Sequence, residues 1–204
     1  MLNLVLFGPP GAGKGTQAKY LAETFNLSHL STGDLLREQI AAGTELGLAA
    51  HELIRKGNLV PDSIVIDMIE SKLKGRRSTI GFIFDGFPRT VPQAMALDKL
   101  LSKHRSNVSV MLCLEVDKVE LIKRILNRGI TSGRADDMDA TTIENRINVY
   151  NDKTAPIINY YAQQGKYHAI KGIGTIEEIA GDLKNTVEGI YDKLPSKKAI
   201  HHTN

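Results

Sequence analysis

The feature that most constrains the fold of this chain is a glycine-rich stretch that directly follows an apolar run. The run LNLVLF (residues 2–7) leads into GPPGAGKGT (residues 8–16), and a segment with helical spacing follows. Glycines at a strand-to-helix turn let backbone N–H groups point inward and cradle phosphate oxygens at the positive end of the helix. The spacing of Gly8, Gly13 and Lys14 therefore predicts a nucleoside triphosphate site rather than a plain turn with an exposed lysine.

One position departs from the usual phosphate-loop pattern, in which Ser or Thr follows the lysine and its hydroxyl holds Mg²⁺. Here Gly15 follows Lys14, and the hydroxyl comes one position later, at Thr16. Because Mg²⁺ readily keeps several waters, this does not exclude the ion. Asp85 ends the apolar run IGFIFD, where its carboxylate could hold a hydrated Mg²⁺; a simple Asp-Gly turn is the alternative. A dinucleotide fingerprint fails, because Thr16 stands where Gly or Ala is required.

Apolar runs alternate along the chain with segments of helical spacing. The strongest runs are residues 2–7, 80–85 and 108–116, and weaker ones cover 27–31 and 166–173. The segments of helical spacing between and after them cover residues 14–25, 33–42, 62–74, 92–104, 117–128 and 175–194. This alternation predicts an α/β protein, a P-loop three-layer fold with a five-stranded parallel sheet. In such sheets ligands bind at the carboxyl ends of the strands.

Two segments do not follow this alternation. Residues 31–60 contain short helical pieces and no strand in their middle, which indicates a helical insertion. Residues 127–137, NRGITSGRADD, are polar and turn-rich, and we expect a mobile surface loop there. The core domain would then comprise residues 1–30, 61–126 and 138–204, of which the last ten are expected to fray.

Composition limits the possible partners. Hydrophobic residues make up 42% of the 204 and charged residues 24%, as in a soluble globular protein. No stretch is long and apolar enough for a membrane span and no leader is evident, so we expect a cytoplasmic protein. A single cysteine, Cys113, leaves no internal disulfide or cysteine cluster. With a net charge of +3 and 5% aromatic residues, nucleic acid is not an expected partner.

Arginines are concentrated at the loops and helix ends that the sheet would direct towards a ligand. Arg124 and Arg128 stand four apart in a helical segment, where like charges repel and an anion between them would relieve the conflict. The others are Arg37, Arg89, Arg134 and Arg146. Together they exceed what one triphosphate needs, which indicates a second phosphorylated substrate. An acceptor phosphate is ionised near neutral pH, since its second pKa is about 6, so no general base is required.

These residues resemble the adenylate kinase family over nearly the whole chain. The blocks that carry the resemblance are GPPGAGKGTQ, LSTGDLLR, GNLVPD, FDGFPRT with Gln93, LIKRILNR, SGRADD and ENRINVY. The resemblance implies reversible, Mg²⁺-dependent phosphoryl transfer from ATP to AMP to give two ADP, and so AMP salvage and adenine nucleotide homeostasis. It also implies a nucleotide-monophosphate-binding insertion, residues 31–60, a lid, residues 127–137, and a monomeric enzyme.

The resemblance also implies roles for individual residues. The ATP side would consist of Gly11, Ala12, Gly13, Lys14, Gly15, Thr16, Arg128 and the backbone at Gly174. AMP would be bound by Thr32, Arg37, Asn58, Leu59, Val60, Gly86, Phe87, Pro88, Arg89 and Gln93, with Arg134 and Arg146. The catalytic residues would be Lys14, Arg89, Arg124, Arg128, Arg134 and Arg146. Asp136 and Asp137 would form the lid hinge and pair with arginines in the closed state; a solvated acidic turn is the alternative.

The lid is short and lacks the cysteines that hold zinc in longer lids, so the resemblance is to the bacterial short-lid form and no zinc is expected. Two alternatives remain open. A uridylate-cytidylate kinase would share the loop and most arginines, although Thr32 and Gln93 favour adenine. A P-loop switch that binds nucleotide without phosphoryl transfer would have no use for the acceptor-side arginines, and the guanine-reading Asn-Lys-x-Asp motif is absent.

Overall fold

A computed structural model of the chain describes residues 1–74, 80–132 and 134–192. Within these residues a five-stranded parallel sheet has the order β2-β3-β1-β4-β5. Its strands are β1 (Leu2–Phe7), β2 (Ser28–Ser31), β3 (Gly81–Asp85), β4 (Val110–Glu115) and β5 (Tyr167–Lys171). β1 lies between β3 and β4, with Leu6 opposite both Asp85 and Leu112. The prediction of a five-stranded parallel sheet is confirmed.

Helices connect the strands and cover both faces of the sheet. The α-helices are α1 (Lys14–Thr24), α2 (Thr32–Ala41), α3 (Glu45–Arg55), α4 (Asp62–Lys74), α5 (Val91–Lys103), α6 (Lys118–Ser132), α7 (Ala140–Val149), α8 (Ile157–Ala162) and α9 (Ile176–Tyr191). A 3₁₀ turn covers Ala135–Asp137, and a π-helical turn covers Tyr150–Thr154. Helices α2 and α3 lie between β2 and α4, in the segment predicted to be a helical insertion.

Alternation along the strands divides the core into two layers, because successive side chains point to opposite faces. On β1, Leu4 and Leu6 pack with Leu21 of α1 and Leu183 of α9. Val5 and Phe7 pack on the other face, against residues of α4, α5 and α8. All six side chains of β1 are buried, as expected for a central parallel strand. The three-layer arrangement therefore follows from these apolar runs.

The prediction of an irregular loop over residues 127–137 is wrong at its start, because α6 continues to Ser132. The hydroxyl of Ser132 donates to the carbonyl of Arg128 at 2.7 Å, so this polar residue joins the helix instead of breaking it. Gly129 is buried on the same helix, and a Cβ atom there would lie 2.9 Å from the carbonyl oxygen of Asp137. Close packing against the following turn therefore holds this end of α6; Gly133 lies outside the described residues.

The helical structure between residues 140 and 162 was not identified from the apolar pattern. Helix α7, the π-helical turn and α8 follow one another there without a strand between them. No helix among the described residues is long and apolar enough to cross a membrane. The predicted fraying of the last ten residues lies outside the described part of the chain.

Candidate active site

A cleft of about 850 Å³ opens at the carboxyl ends of β1 and β3. The loop after β1, the start of α2 and the loop after β3 form its floor, while α6, the 3₁₀ turn and α7 supply one wall. Its volume is within the range of small-molecule sites, which is roughly 300–1,000 Å³. The cleft therefore lies where an open α/β sheet binds its ligands.

The loop between β1 and α1 presents backbone N–H groups at the N-terminus of a helix. Gly13 is the residue before α1 and has φ of 92° and ψ of 9°, the left-handed region that favours glycine. Helix α1 begins at Lys14, and no side chain caps its N-terminus. Gly11, Gly13, Gly15 and Thr16 all line the cleft. The free N–H groups and the helix dipole together suit an anion.

Gly15 leaves open the space in front of Asp85. A Cβ atom at position 15 would lie 3.6 Å from the Asp85 Oδ2, so the first atom of any larger side chain would touch this carboxylate. Asp85 also lies 3.6 Å from the Nε2 of His29 on the neighbouring strand. Because residue 15 is glycine rather than Ser or Thr, the Asp85 carboxylate is accessible from the cleft, which Thr16 also lines. Oxygen donors of this kind are those that Mg²⁺ prefers.

Lys14 folds back over its own loop. Its Nζ donates to the carbonyls of Gly8 at 2.7 Å and Pro9 at 2.9 Å. Withdrawal from water lowers the pKa of Lys14 to about 8; nearby Asp85 opposes this shift. The ammonium group is thus still charged at neutral pH, close to the loop's N–H groups.

A second part of the cleft is built around the turn after β3. The Thr32 hydroxyl donates to the carbonyl of Gly86 at 2.7 Å, and the Nε of Arg89 donates to the same oxygen at 2.8 Å. Gln93 is nearly buried: its Oε1 accepts from the Arg89 N–H at 2.7 Å, and its Nε2 donates to Asp62 at 2.8 Å. Thr32 and Gln93, the two residues expected to favour adenine, are thus both tied to the segment that holds Arg89.

Three arginines on the lid side converge on two aspartates. Arg128 makes a two-pronged contact with Asp137, at 2.7 and 2.9 Å. Arg146 reaches Asp137 at 2.5 Å and Asp136 at 2.9 Å, and Arg134 pairs with Asp136 at 3.0 Å. Although burial acts in the opposite direction, hydrogen bonds from Arg128 and Arg146 hold the pKa of Asp137 below its ordinary value. The predicted pairing of Asp136 and Asp137 with arginines is present.

The predicted repulsion between Arg124 and Arg128 is relieved differently from what we expected. Arg124 donates to Glu120 at 2.7 Å and to the carbonyl of Gly172 at 2.9 Å, while Arg128 is bound to Asp137. The two guanidinium groups thus contact different carboxylates, so an anion between them is not needed to hold the pair. Both side chains nevertheless line the cleft.

Most residues predicted from the sequence meet in this cleft. They are Gly11, Gly13, Lys14, Gly15, Thr16, Thr32, Arg37, Asn58, Leu59, Val60, Asp85, Gly86, Pro88, Arg89, Gln93, Arg124, Arg128, Arg134 and Arg146. Three do not line it. Ala12 and Phe87 are buried in the core, and Gly174 lies outside the cleft, at the start of the turn before α9. The side chain of Arg37 pairs with Asp34 one helical turn earlier.

The charge of the cleft is strongly positive. Among the described residues that line it, three are acidic, namely Asp34, Asp85 and Asp136. Eight are cationic, namely Lys14, Lys19, Arg37, Arg89, Arg124, Arg128, Arg134 and Arg146. This excess of positive charge suits ligands that carry several phosphate groups.

Sequence reasoning missed several contributors to the site. Asp62 binds both Thr90 and Gln93, and the hydroxyl of Thr154 donates to the carbonyl of Arg89 at 2.8 Å. Asp62 is the first residue of a helix, so the GNLVPD block indicated its neighbourhood. Thr154 gave no signal, because it lies in a π-helical turn that the apolar pattern does not reveal. Within the described residues, no group of three or more His, Cys, Asp or Glu side chains could hold a metal ion.

Comparison with known proteins gives a consistent result. The family model "Adenylate kinase" matches residues 6–166. The chain is 52% identical to the adenylate kinase of Parabacteroides distasonis over 190 residues, covering 93% of this chain and 100% of that protein. It is 50% identical to the enzyme of Flavobacterium psychrophilum and 49% identical to that of Flavobacterium johnsoniae, each with the same coverage.

Proposed function

The chain belongs to the adenylate kinase family and transfers a phosphoryl group between ATP and AMP, and we propose which parts of its cleft bind the two nucleotides. The single observation that carries the proposal is the convergence of Lys14, Arg89, Arg128, Arg134 and Arg146 on one cleft. ATP binds at the loop after β1 and on the lid side, and AMP binds between the 31–60 insertion and the turn after β3. ADP occupies both positions after transfer.

The donor side rests on the phosphate-binding loop. Backbone N–H groups of Gly11–Thr16 and the charge of Lys14 bind the β- and γ-phosphates. Arg128 contributes from α6, where Asp137 already orients its guanidinium. Arg124 supports this side through the carbonyl of Gly172, two residues before Gly174. That contact joins the 172–174 segment to the donor side.

The acceptor side uses a different set of groups. Arg37 and Arg89 bind the AMP phosphate, and the backbone of Asn58–Val60 and of Gly86–Pro88 encloses the nucleoside. Apolar side chains of Leu36, Ile54, Val60 and Val65 line this part of the cleft, which suits a purine ring. Thr32 and Gln93 favour adenine over a pyrimidine through one hydroxyl and one amide.

No side chain has to remove a proton in the reaction. The attacking oxygen of the AMP phosphate is ionised, so it forms the new P–O bond while the bond between the γ-phosphorus and the β-phosphate oxygen breaks. Arginines cannot act as bases, since they remain charged at any working pH. Arg89, Arg134 and Arg146 instead stabilise the charge that is shared by the two phosphates during transfer.

Oxygen donors of the cleft would hold Mg²⁺ together with ATP, and the open face of Gly15 gives access to them. Asp85 would hold it through water and Thr16 stands beside it, while zinc has no place in the short lid. When bound, the ion neutralises phosphate charge and orients the chain of phosphates. Residues 31–60 and 127–137 close over the nucleotides, which keeps water from taking the phosphoryl group.

The enzyme acts as a monomer in the cytoplasm, and neither a membrane nor a nucleic acid is a partner. All groups proposed for the two nucleotide positions come from a single chain, so a second copy is not needed to complete the cleft. Light scattering during size-exclusion chromatography should give the mass of one chain, 22.4 kDa. A mass of twice this value would contradict the monomer.

The acceptor assignment is tested by a panel of acceptors with ATP as the donor. AMP should be preferred over UMP, CMP and GMP by at least about tenfold in kcat/KM; a contact-based difference of 1.4 kcal/mol produces this ratio. A tenfold preference for another base would refute the adenine site.

Lys14→Ala and Arg89→Ala should each lower turnover by orders of magnitude with the fold retained, because both side chains are assigned to phosphate.

A further inference from the structure

Arg89 is held at three points, two of them on its backbone. Its Nε donates to the carbonyl of Gly86 at 2.8 Å, and its backbone N–H donates to Gln93 Oε1 at 2.7 Å. Its carbonyl accepts from the hydroxyl of Thr154 at 2.8 Å, a contact between residues 65 positions apart in the chain. Side chains of two other elements, Gln93 of α5 and Thr154 of the π-helical turn, thus hold both sides of the Arg89 backbone.

The charges around Arg89 provide the reason. Surrounding protein atoms lower the pKa of Arg89, although its side chain remains exposed at the open cleft; the positive charges of Arg146 and Arg134 lower it further, and Asp85 opposes the shift. These charges repel one another, and an unrestrained side chain would turn away from the cleft to reduce the repulsion. A group that stabilises transferring phosphates must already be in place when they bind, so the protein must hold it against this force.

Thr154 is placed to supply that restraint. It is the last residue of the π-helical turn, in which the N–H of Ala155 donates to the carbonyl of Tyr150 at 2.8 Å. The turn directly continues α7, which carries Arg146. Thr154 is 7% exposed and lines the cleft. Its hydroxyl thus joins the element that bears Arg146 to the backbone of Arg89.

The N–H side of the Arg89 backbone is fixed by a chain of hydrogen bonds whose end groups can act only as a donor or only as an acceptor. The Arg89 N–H can only donate and the Asp62 carboxylate can only accept, so the Gln93 amide between them has a single orientation. The other oxygen of Asp62 accepts from Thr90 at 2.8 Å. The N–H side of Arg89 is therefore held in one arrangement, and the Thr154 hydroxyl contacts the carbonyl side.

We propose that Thr154 is a positioning residue for phosphoryl transfer, whose hydroxyl sets the backbone of Arg89 and so its distance from Arg146. The inference rests on the proposed function of Arg89 at the acceptor phosphate. Thr154 itself contacts Arg89 and not the reacting atoms. Loss of its hydroxyl therefore changes kcat with AMP more than the KM for ATP, which binds at the loop after β1.

The test compares Thr154→Val, which removes the hydroxyl at nearly constant shape, with Thr154→Ser, which keeps it. The valine variant should lose about ten- to a hundredfold in kcat, the cost of a small misplacement, and the serine variant should recover most of it. The KM for ATP should stay within about twofold of the parent value, as expected when only a transition-state contact is lost. Thr186→Val is the matched control, since its hydroxyl bonds the carbonyl of Asp182 within α9, away from the cleft.

A double-mutant cycle with Arg89→Ala separates positioning from a general structural effect. If Thr154 acts through Arg89, Thr154→Val adds no further loss of kcat once the Arg89 side chain is gone. If the double variant instead loses kcat by the product of the two single losses, the inference is wrong. It is also wrong if Thr154→Val keeps the parent kcat, or if Thr154→Ser is as slow as Thr154→Val. Normal turnover of Arg89→Ala alone would instead refute the proposed role of Arg89, and the inference would fall with it.

Discussion

Gly13 shows how a single backbone conformation is required for the phosphate loop. Its φ of 92° lies in the left-handed region, and an added Cβ atom would meet nothing within 4 Å. Space is therefore not the reason for glycine here; the backbone conformation is. The sequence predicted this position correctly from the spacing of Gly8, Gly13 and Lys14, because the strand-to-helix turn leaves few alternatives.

Replacement of glycine by alanine should change the free energy of unfolding in opposite directions at Gly13 and Gly181, two positions with open space for a Cβ atom. Gly13→Ala should lower the free energy of unfolding by about 1 kcal/mol, because alanine is disfavoured in the left-handed region. Gly181→Ala lies within α9 and also meets nothing within 4 Å, so it should raise the free energy of unfolding by about 0.5–1 kcal/mol. Urea unfolding curves provide the measurement, and a shift of both variants in one direction would contradict the conformational explanation.

Lys14 should make ATP binding depend on pH. With a pKa of about 8, the ammonium form falls from about nine-tenths of the molecules at pH 7 to about one-tenth at pH 9. The phosphates are already ionised over this interval, so the KM for ATP should rise about tenfold. Initial rates at a series of ATP concentrations measure this change. Lys14→Arg keeps its charge and should show a flat profile, whatever its kcat; an equal rise in the variant would place the titration elsewhere.

The 3₁₀ turn at Ala135–Asp137 links two secondary-structure elements, α6 and α7, by ion pairs. Asp137 is fully buried and binds Arg128 of α6 and Arg146 of α7. The sequence predicted that Asp136 and Asp137 would pair with arginines, yet it placed a loop where α6 continues to Ser132. That extension depends on the close approach of Gly129 to the backbone of Asp137, a tertiary contact that polar composition does not reveal.

Removing the charge of Asp137 should loosen this junction. Asp137→Asn should lower the free energy of unfolding by about 3 kcal/mol, or about 6–12 °C in Tm, since Arg128, Arg134 and Arg146 lose a buried charged partner. The pKa of Asp137 is depressed in the folded state, so its contribution is present above about pH 4 and is lost as the pH falls further. The difference between variant and parent should therefore shrink in acid.

Asp139→Asn is the matched control for this substitution two residues further on. Asp139 is exposed and caps α7 by accepting from the N–H of Thr142, a role that asparagine fills equally well. Thermal unfolding followed by circular dichroism should show an unchanged Tm for this variant. A similar drop in both variants would mean that the loss of charge near α7, rather than the bridge through Asp137, controls stability.

Over the whole molecule, the cleft collects side chains from Leu6 to Thr154, about three-quarters of the chain. The strands were predicted within two residues of their ends; for the central strands β1, β3 and β4 the reason is that buried parallel strands are continuous apolar runs. Asp62 and Thr154 could not be predicted as part of the site. Their partners, Gln93 and Arg89, are 31 and 65 residues away, and these distances close only when helices from different parts of the chain pack together.

Because so much of the chain contributes to one cleft, a ligand that fills both nucleotide positions should stabilise the whole fold. Diadenosine pentaphosphate, which links two adenosines through five phosphates, should raise the Tm more than ATP or AMP alone at equal concentration. At 100 times its Kd a ligand adds about 2.7 kcal/mol, or roughly 5–11 °C for a chain of this size. In Arg89→Ala, most of the additional rise in Tm that diadenosine pentaphosphate gives over ATP should be lost, while the rise in Tm given by ATP alone should remain. An equal shift from ATP alone would instead indicate a single nucleotide position, as in a switch protein that binds ATP without transferring its phosphate.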